Sequence, residues 1–428
     1  MANPLGIFFS RLALEDKRFI KKIGISLIVL LVLSALGWYI YMNFATERAE
    51  KQVLGQNQFD FLDLASFDTV HVPEIQGFEE PSFDTAQKTE DIPIGSFDEQ
   101  AHLQLMRQNA NQYNYKAAHS HGARIASFLL ADSERRAEWG RILLESGRPR
   151  EAASVLQRIV EEDVVKTEIA IDMAFAMLRS GNADGAIEFL DEKIKNSNDM
   201  DLIAAKAAII GEHPDAKRRS AAESLFLRSA RSNSPNANYW YGRFLMERGD
   251  YKNSKTYLER AIKAKPNEPR YIARLGMAEF YLKRDSNAEA LYRKALGINP
   301  YDHNTWFNLG ELYLSLANES ARPQDIRQRT HRALEAYMKS VNIDSLHPRA
   351  NYRIGIILNG NAQHKEAINH LNIALEKMPG DIPVMQQLSS AHIKIGDTAT
   401  SVNYLNTILQ LDPFNRIAAS ELNRIRGL

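Results

Sequence analysis

The sequence contains no cysteine, which removes thiol nucleophiles, disulfide frameworks and thiolate metal sites, and suits an oxidising compartment. It also lacks a charge excess: 53 Lys and Arg stand against 53 Asp and Glu. Without a basic surplus to displace counterions from phosphates, wholesale nucleic-acid binding is not expected. Spacings that converge catalytic groups are missing too, among them Walker-type glycine loops, G-x-S-x-G elbows and H-E-x-x-H pairs. His119 and His121 are two residues apart, and on a helix such neighbours point in different directions. No enzyme, metal or cofactor is therefore expected.

What is present first is one long apolar run. From Ile23 to Phe44 no residue is charged, and a helix over this stretch, at about 1.5 Å per residue, spans a hydrocarbon layer of roughly 30 Å. Trp38, Tyr39 and Tyr41 cluster at one end, while Arg11, Lys17, Arg18, Lys21 and Lys22 crowd the other. Cationic flanks stay in the cytoplasm and aromatic rings favour the interface. The run is too long for a typical cleaved signal, and no A-x-A site follows it. The reading is a cytoplasmic segment at 1–22, a transmembrane helix at 23–44 in the inner membrane and everything beyond it in the periplasm.

Residues 45–98 then carry Pro73, Pro81 and Pro93, and twelve Asp and Glu against three Lys and Arg. Such a composition buries too little apolar surface to fold alone. Read as a flexible linker of about 54 residues, it has a root-mean-square reach of roughly 40 Å. Within it a phrase recurs as Ser66-Phe67-Asp68, Ser82-Phe83-Asp84 and Ser96-Phe97-Asp98, with Phe59-Asp60 as a partial copy. Each copy pairs an aromatic anchor with a carboxylate, the form of a short linear motif repeated for avidity, either for a partner or for docking on this chain's own basic array. The plainer reading is drift in an acidic segment, with the last copy capping the next helix.

Beyond the linker the sequence repeats with a period of 34. Gly140, Ala174, Ala208, Gly242, Gly276 and Gly310 are so spaced, and Gly355 and Ser389 continue the series after an insertion of eleven residues. A second series of small residues runs Ala118, Ala152, Ala186, Ser220, Ser254, Ala288, Ala333, Ala367 and Ser401. Large residues hold fixed offsets between them, such as Leu143, Leu245, Tyr313 and Leu358, then Leu156, Leu190, Leu258, Tyr292, Tyr337, Leu371 and Leu405. Glu279 interrupts the first set, and Met106 and Gly122 break the pattern in the first unit. Two antiparallel helices per unit explain all this: small residues let backbones approach, large ones fill the space beside them, and Pro266, Pro300, Pro379 and Pro413 end second helices. Stacking about nine such units buries one continuous core, giving an all-α solenoid over 99–415. Residues 416–428 read as a capping helix, with Phe414, Ile417, Ala418, Leu422 and Ile425 on one apolar stripe.

Trp306-Phe307-Asn308-Leu309-Gly310-Glu311-Leu312-Tyr313 resembles the W-x2-L-G-x2-Y opening of a tetratricopeptide repeat. The resemblance implies a superhelix whose concave groove, lined by first helices, holds an extended peptide or a partner helix. On that face Arg270 with Arg274, and Arg349 with Arg353, form i, i+4 pairs at equivalent offsets. With Tyr239, Arg243, Asn308, Glu311 and Tyr352 they compose a basic and aromatic surface suited to carboxylates and apolar anchors. The plainer reading is a set of solvated helix charges. Chaperone-tail clamps of the family use Asn where this chain has Arg243, Met277, Glu311 and Ile356, so recognition of such tails is not expected. The insertion, around Ser315–Arg332, adds Arg322, Arg327, Arg329 and Arg332 near Pro323, which is read as the start of a second helix, and is either part of a binding face or a plain surface extension.

The functional expectation is an anchored, periplasm-facing scaffold or adaptor in an envelope assembly such as a pilus, secretion, motility or polysaccharide-export machine. Its partners would be proteins or peptides at the groove and the bilayer at 23–44. A chaperone-like receptor holding translocating or unfolded polypeptides is the alternative.

Overall fold

The computed structural model describes residues 98–427 apart from 162–164, 196 and 214–215, with the backbone alone described at 216–220. The membrane helix expected at 23–44, and the linker copies at Phe67-Asp68 and Phe83-Asp84 together with Phe97, lie outside the described residues. Among the described residues there are twenty helices and no strand, and none of those helices is long and apolar enough to cross a membrane.

The helices form nine antiparallel pairs: α1 (Glu99–Asn111) with α2 (Tyr115–Arg124), then, after the four-residue α3 (Ala126–Leu129), α4 (Ser133–Glu145) with α5 (Pro149–Val160), and α6 (Thr167–Arg179) with α7 (Ala183–Lys195). The series continues as α8 (Met200–Glu212) with α9 (Ala216–Ser229), α10 (Pro235–Glu247) with α11 (Tyr251–Ala264), and α12 (Pro269–Tyr281) with α13 (Asp285–Ile298). Next come α14 (His303–Asn318) with α15 (Pro323–Ile343), α16 (Pro348–Gly360) with α17 (His364–Lys377), and α18 (Ile382–Lys394) with α19 (Thr398–Leu411); a single helix, α20 (Arg416–Arg426), closes the array.

Local chemistry sets these boundaries. Asp132, Ser234, Asp250, Asp302, Asp381 and Asn415 each cap a helix by accepting a backbone N–H from its first turn, an arrangement worth about 1 kcal/mol each. Asp98 does the same for α1, accepting from Gln100 and Ala101 N–H, so the carboxylate of the last Ser-Phe-Asp copy has a structural task. Pro266, Pro300, Pro379 and Pro413 stand two residues past the ends of α11, α13, α17 and α19, where a helix cannot continue through them.

The two small-residue series meet across each pair. A methyl group placed on Gly310 would lie 2.5 Å from the Tyr337 ring, and one on Gly355 2.5 Å from Leu371; Gly242 faces Leu258 and Gly276 faces Tyr292 in the same way. Ala152, Ala186, Ser254, Ala288, Ala333 and Ala367 are fully buried on the second helices. The first unit has the sides exchanged: Met106 is the large residue, wholly buried, and Gly122 on α2 is the small one, its would-be methyl 3.0 Å from the Met106 sulfur and 2.3 Å from the Trp139 ring of α4. In the fourth unit the register moves by two, so Ala222 and Phe226 hold the buried small and large places four residues apart. Glu279, where a large apolar residue was expected, is buried and ion-paired to Lys255 at 2.7 Å.

The insertion in the seventh unit lengthens both of its helices. Whereas α10 and α12 have 13 residues and α11 and α13 have 14, α14 has 16 and α15 has 21, beginning at Pro323. At the far end α20 buries Ala418 and Leu422, but Phe414 and Ile417 turn outward, 90% and 64% exposed. The apolar stripe expected of this cap is therefore split, with Ala418 and Leu422 turned inward and Phe414 and Ile417 turned away from the described helices.

The close approach makes a direct prediction. Gly310→Ala drives a methyl into a ring that has no room to yield and should destabilise by about 1–3 kcal/mol. Gly297→Ala, whose methyl would meet open space, should instead stabilise by about 0.5–1 kcal/mol through helix propensity. Chemical denaturation of the two variants beside the parent checks both signs.

Candidate functional site

First helices of successive units touch one another directly, α4 with α6, α6 with α8, α8 with α10 and α10 with α12, while second helices mainly contact the first helices beside them. A stack held closer along one row than the other curves toward the closer row. The first helices therefore line the inner face.

That face is bridged by its own charges. Arg107 pairs with Glu138 at 2.9 Å, Arg141 with Asp172 at 2.8 Å and Arg243 with Glu212 at 2.6 Å. In each pair the partners are 31 residues apart, so the bonds form rungs between neighbouring first helices. Arg243 also reaches Glu247 at 3.0 Å. Burial works against the Arg243 charge, but the two carboxylates outweigh it and raise its pKa. Asp172 goes the other way: burial raises its pKa in spite of Arg141.

The middle of the face is filled. Along α8 the run from Leu202 to Ile210 is buried at every position but Lys206, and its four alanines let the flanking helices close over it. Phe175 on α6 reaches Trp240 on α10, two units away, with ring centroids 5.6 Å apart. Arg270 makes a longer crossing, from α12 back to Glu145 on α4 at 3.7 Å, in addition to Glu268 at 3.0 Å. Burial lifts the neighbouring Tyr115 phenol to about 12, with Glu145 adding to the rise.

The residues expected to form the groove fall into three groups. Tyr239 stacks on Tyr271 with centroids 4.7 Å apart, beside Arg270 and Arg243, and Arg274 lies 3.5 Å from the Met277 sulfur. Asn308 is half-buried, and Arg349 lies over the Phe307 ring at 5.5 Å. Glu311, Tyr352 and Arg353 belong to the core: Arg353 donates to both Glu311 carboxylate oxygens at 2.9 and 3.1 Å, and both side chains are under 5% exposed. The Tyr337 hydroxyl donates to the same carboxylate, and its pKa is pushed well up by burial and by Glu311. The two i, i+4 arginine pairs are thus unlike: Arg270 is 60% exposed, while Arg353 is locked to Glu311. Phe175 and Trp240 escaped the sequence reading; their signal was aromatic residues at groove offsets flanking an alanine-rich helix.

In the first unit His119 stacks on Trp139, with centroids 5.5 Å apart, whereas His121 faces His102 with the two Nδ1 atoms 3.2 Å apart. No group of three or more His, Asp or Glu able to hold a metal occurs among the described residues.

The paired helices, the W-x2-L-G-x2-Y segment facing a buried aromatic, and the 34-residue period agree with the family models that match this chain. These are tetratricopeptide repeats. The tetratricopeptide repeat pattern matches residues 143–209, 215–269, 245–303 and 382–415. Among solved structures, the APC/C hetero-tetramer Cut9-Hcn1 superposes with a TM-score of 0.55 at 13% identity, over 72% of this chain and 58% of that one. Two shorter neighbours are MamA, at 17% identity and TM-score 0.34 over 42% and 92% of the two chains, and TTC0263, a thermophilic TPR protein in Thermus thermophilus, at 16% identity and 0.36 over 46% and 100%. No curated protein matches the chain by sequence. Proteins built from tetratricopeptide repeats are typically non-enzymatic scaffolds for protein–protein interaction.

Two predictions test this assignment of charges. Arg353→Met alone leaves Glu311 buried without its cation and should cost about 3–5 kcal/mol, whereas Glu311→Gln with Arg353→Met should recover most of the loss; a double-mutant cycle measures the coupling. Burial, together with His102 and Arg124, lowers the His121 pKa, so the folded state binds its proton less readily than the unfolded chain. Stability contributed by neutral His121 is complete above about pH 6.5 and falls as pH drops toward the lowered folded value. Hydrogen-exchange protection factors in α1 and α2, corrected for the intrinsic pH dependence of amide exchange, should fall over that window, and less so in His121→Gln.

Proposed function

We propose that this chain is a membrane-anchored scaffold whose array holds a partner protein on the inner face of its first helices, on the periplasmic side of an inner membrane. The observation that carries the reading is the inner face itself, where Tyr239, Arg270 and Arg274 lie together beside a carboxylate, Glu145, recruited from four units away. Groups that already exchange salt bridges across a groove offer a partner the same currency: a carboxylate of the partner replaces Glu145 on Arg270, and an apolar side chain packs on the Tyr239 ring. The uncharged run at 23–44 with its cationic flank supports the anchor and the orientation. A repeat array tethered in this way gathers components of an envelope assembly such as a pilus, secretion, motility or polysaccharide-export machine.

Crosslinking pull-down of the full-length protein from its native membrane tests the scaffold, with Tyr239→Ala, Arg270→Ala, Arg274→Ala as the comparison. One stoichiometric partner, lost from the triple variant, is expected. Many unrelated polypeptides captured weakly would favour a chaperone-like receptor instead. A reporter active only in the cytoplasm, fused after Leu428, should stay silent; activity would overturn the orientation.

A further inference from the structure

Outside the inner face, a cleft of about 400 Å³ opens between α13, α14 and α15. Its apolar wall is Leu296, Leu309 and Ala336, with Trp306 and Tyr313 beside them. Its rim is cationic. Lys339 lies over the Trp306 ring at 4.3 Å and Arg332 over the Tyr313 ring at 5.9 Å, while Arg293 donates to the Tyr313 hydroxyl at 3.0 Å. Carboxylates are present as well: Glu289 pairs with Arg293 at 2.9 Å, and Glu335, on the rim, lies 3.5 Å from His331. Three cations against one carboxylate line the cleft itself, so it favours an anionic ligand carrying an aromatic or aliphatic group.

We propose that the occupant is this chain's own Phe83-Asp84 phrase, with the ring against Leu296 and Leu309 and the carboxylate at Arg332 and Lys339. Charge complementarity points there, since the segment 45–98 carries twelve acidic residues and three basic ones. So does covalent reach. Tyr113, at the end of α1, feels the charges of Glu268 and Arg270, which places the first unit beside the start of α12. Glu268 and Gly297 sit at the same end of the α12–α13 pair, because the two helices are antiparallel. From Asp98 along α1 and across that pair is about 35 Å, at about 1.5 Å per helical residue and 8–10 Å between helices. The fifteen residues from Phe83 to Asp98 extend to about 50 Å. The last copy does not compete, because Asp98 is engaged as the cap of α1.

Such docking is self-competition. A tethered motif sits at an effective concentration on the order of millimolar, so even a weak contact is populated, and a partner offering a similar phrase must displace it. The inference rests on the reading of the array as a peptide-binding module, but not on the anchor or on the inner-face partner.

The absence of cysteine makes the test clean. In the full-length protein in detergent, Ser82→Cys is combined with Gly297→Cys, a position where an added side chain meets open space, and treated with a short bismaleimide; Ser82→Cys with Thr256→Cys, on the exposed face of α11, sets the background. An intramolecular crosslink at 297 several-fold above that background is expected, falling to it with Phe83→Ser, with Arg332→Glu and Lys339→Glu together, or at high salt. Equal yields at 297 and 256, indifference to Phe83→Ser, or a crosslink chiefly between two copies would overturn the proposal. A stoichiometric partner in the pull-down alongside a failed crosslink would remove the internal ligand and leave the scaffold standing.

Discussion

The structure depends on one steric arrangement repeated along the array, in which a small residue on one helix of a pair receives a large residue from the other. Where Gly310 meets Tyr337 or Gly355 meets Leu371, the backbones come close enough that a single methyl would collide. Everything larger follows from it. The contact fixes the crossing of each pair, the repeated crossing fixes the rotation from unit to unit, and that rotation decides which row of helices lies inside. The first unit shows that the requirement is for a small–large contact and not for a residue at a position: Met106 and Gly122 exchange roles and the pair still closes.

A curved stack also brings distant parts of the chain within reach, and here it uses them to satisfy itself. The rungs from Arg107, Arg141 and Arg243 tie neighbouring units, Phe175 and Trp240 span two, and Arg270 and Glu145 cross four. The more exposed of these rungs, Arg107 with Glu138, contributes little, about 0–1 kcal/mol, but together the rungs determine what a ligand finds. It meets few idle cations and must trade places with carboxylates already there. Affinity is thereby lowered and selectivity raised, because only a partner that replaces the lost salt bridges gains anything.

The fold was legible because its cause is periodic. A contact made once per 34 residues leaves two rows of small side chains, and Pro266, Pro300, Pro379 and Pro413 mark the ends of second helices. A third row was in plain view: Gly147, Gly181, Gly249 and Gly396 take the left-handed conformation at the turn inside each unit, but Tyr113, Lys283 and Ala362 take it too and break the series. The candidate site was less legible, because pairing depends on distance in space. Glu311 and Arg353 are separated by 42 residues and read as surface charges on helices, yet they close on each other in the core. Phe414 and Ile417 fit an apolar stripe by phase, but no described residue covers them.

The Glu311–Arg353 pair also explains why the seventh unit tolerates an insertion. The longer α14 and α15, by three and seven residues, move the connection between them, not the contact of Gly310 with Tyr337. Across the boundary to the next unit, Arg353 on α16 reaches back to a carboxylate on α14 that also holds the Tyr337 hydroxyl of α15. One buried polar node thus binds three helices of two units. Such a node gains little over apolar packing in raw stability but tolerates only one alignment, because any slip strands a charge out of water. In an array whose other contacts are small, interchangeable and repeated, this is a point where sliding by one repeat would be heavily penalised, and it stands beside the one unit whose length departs from the rest.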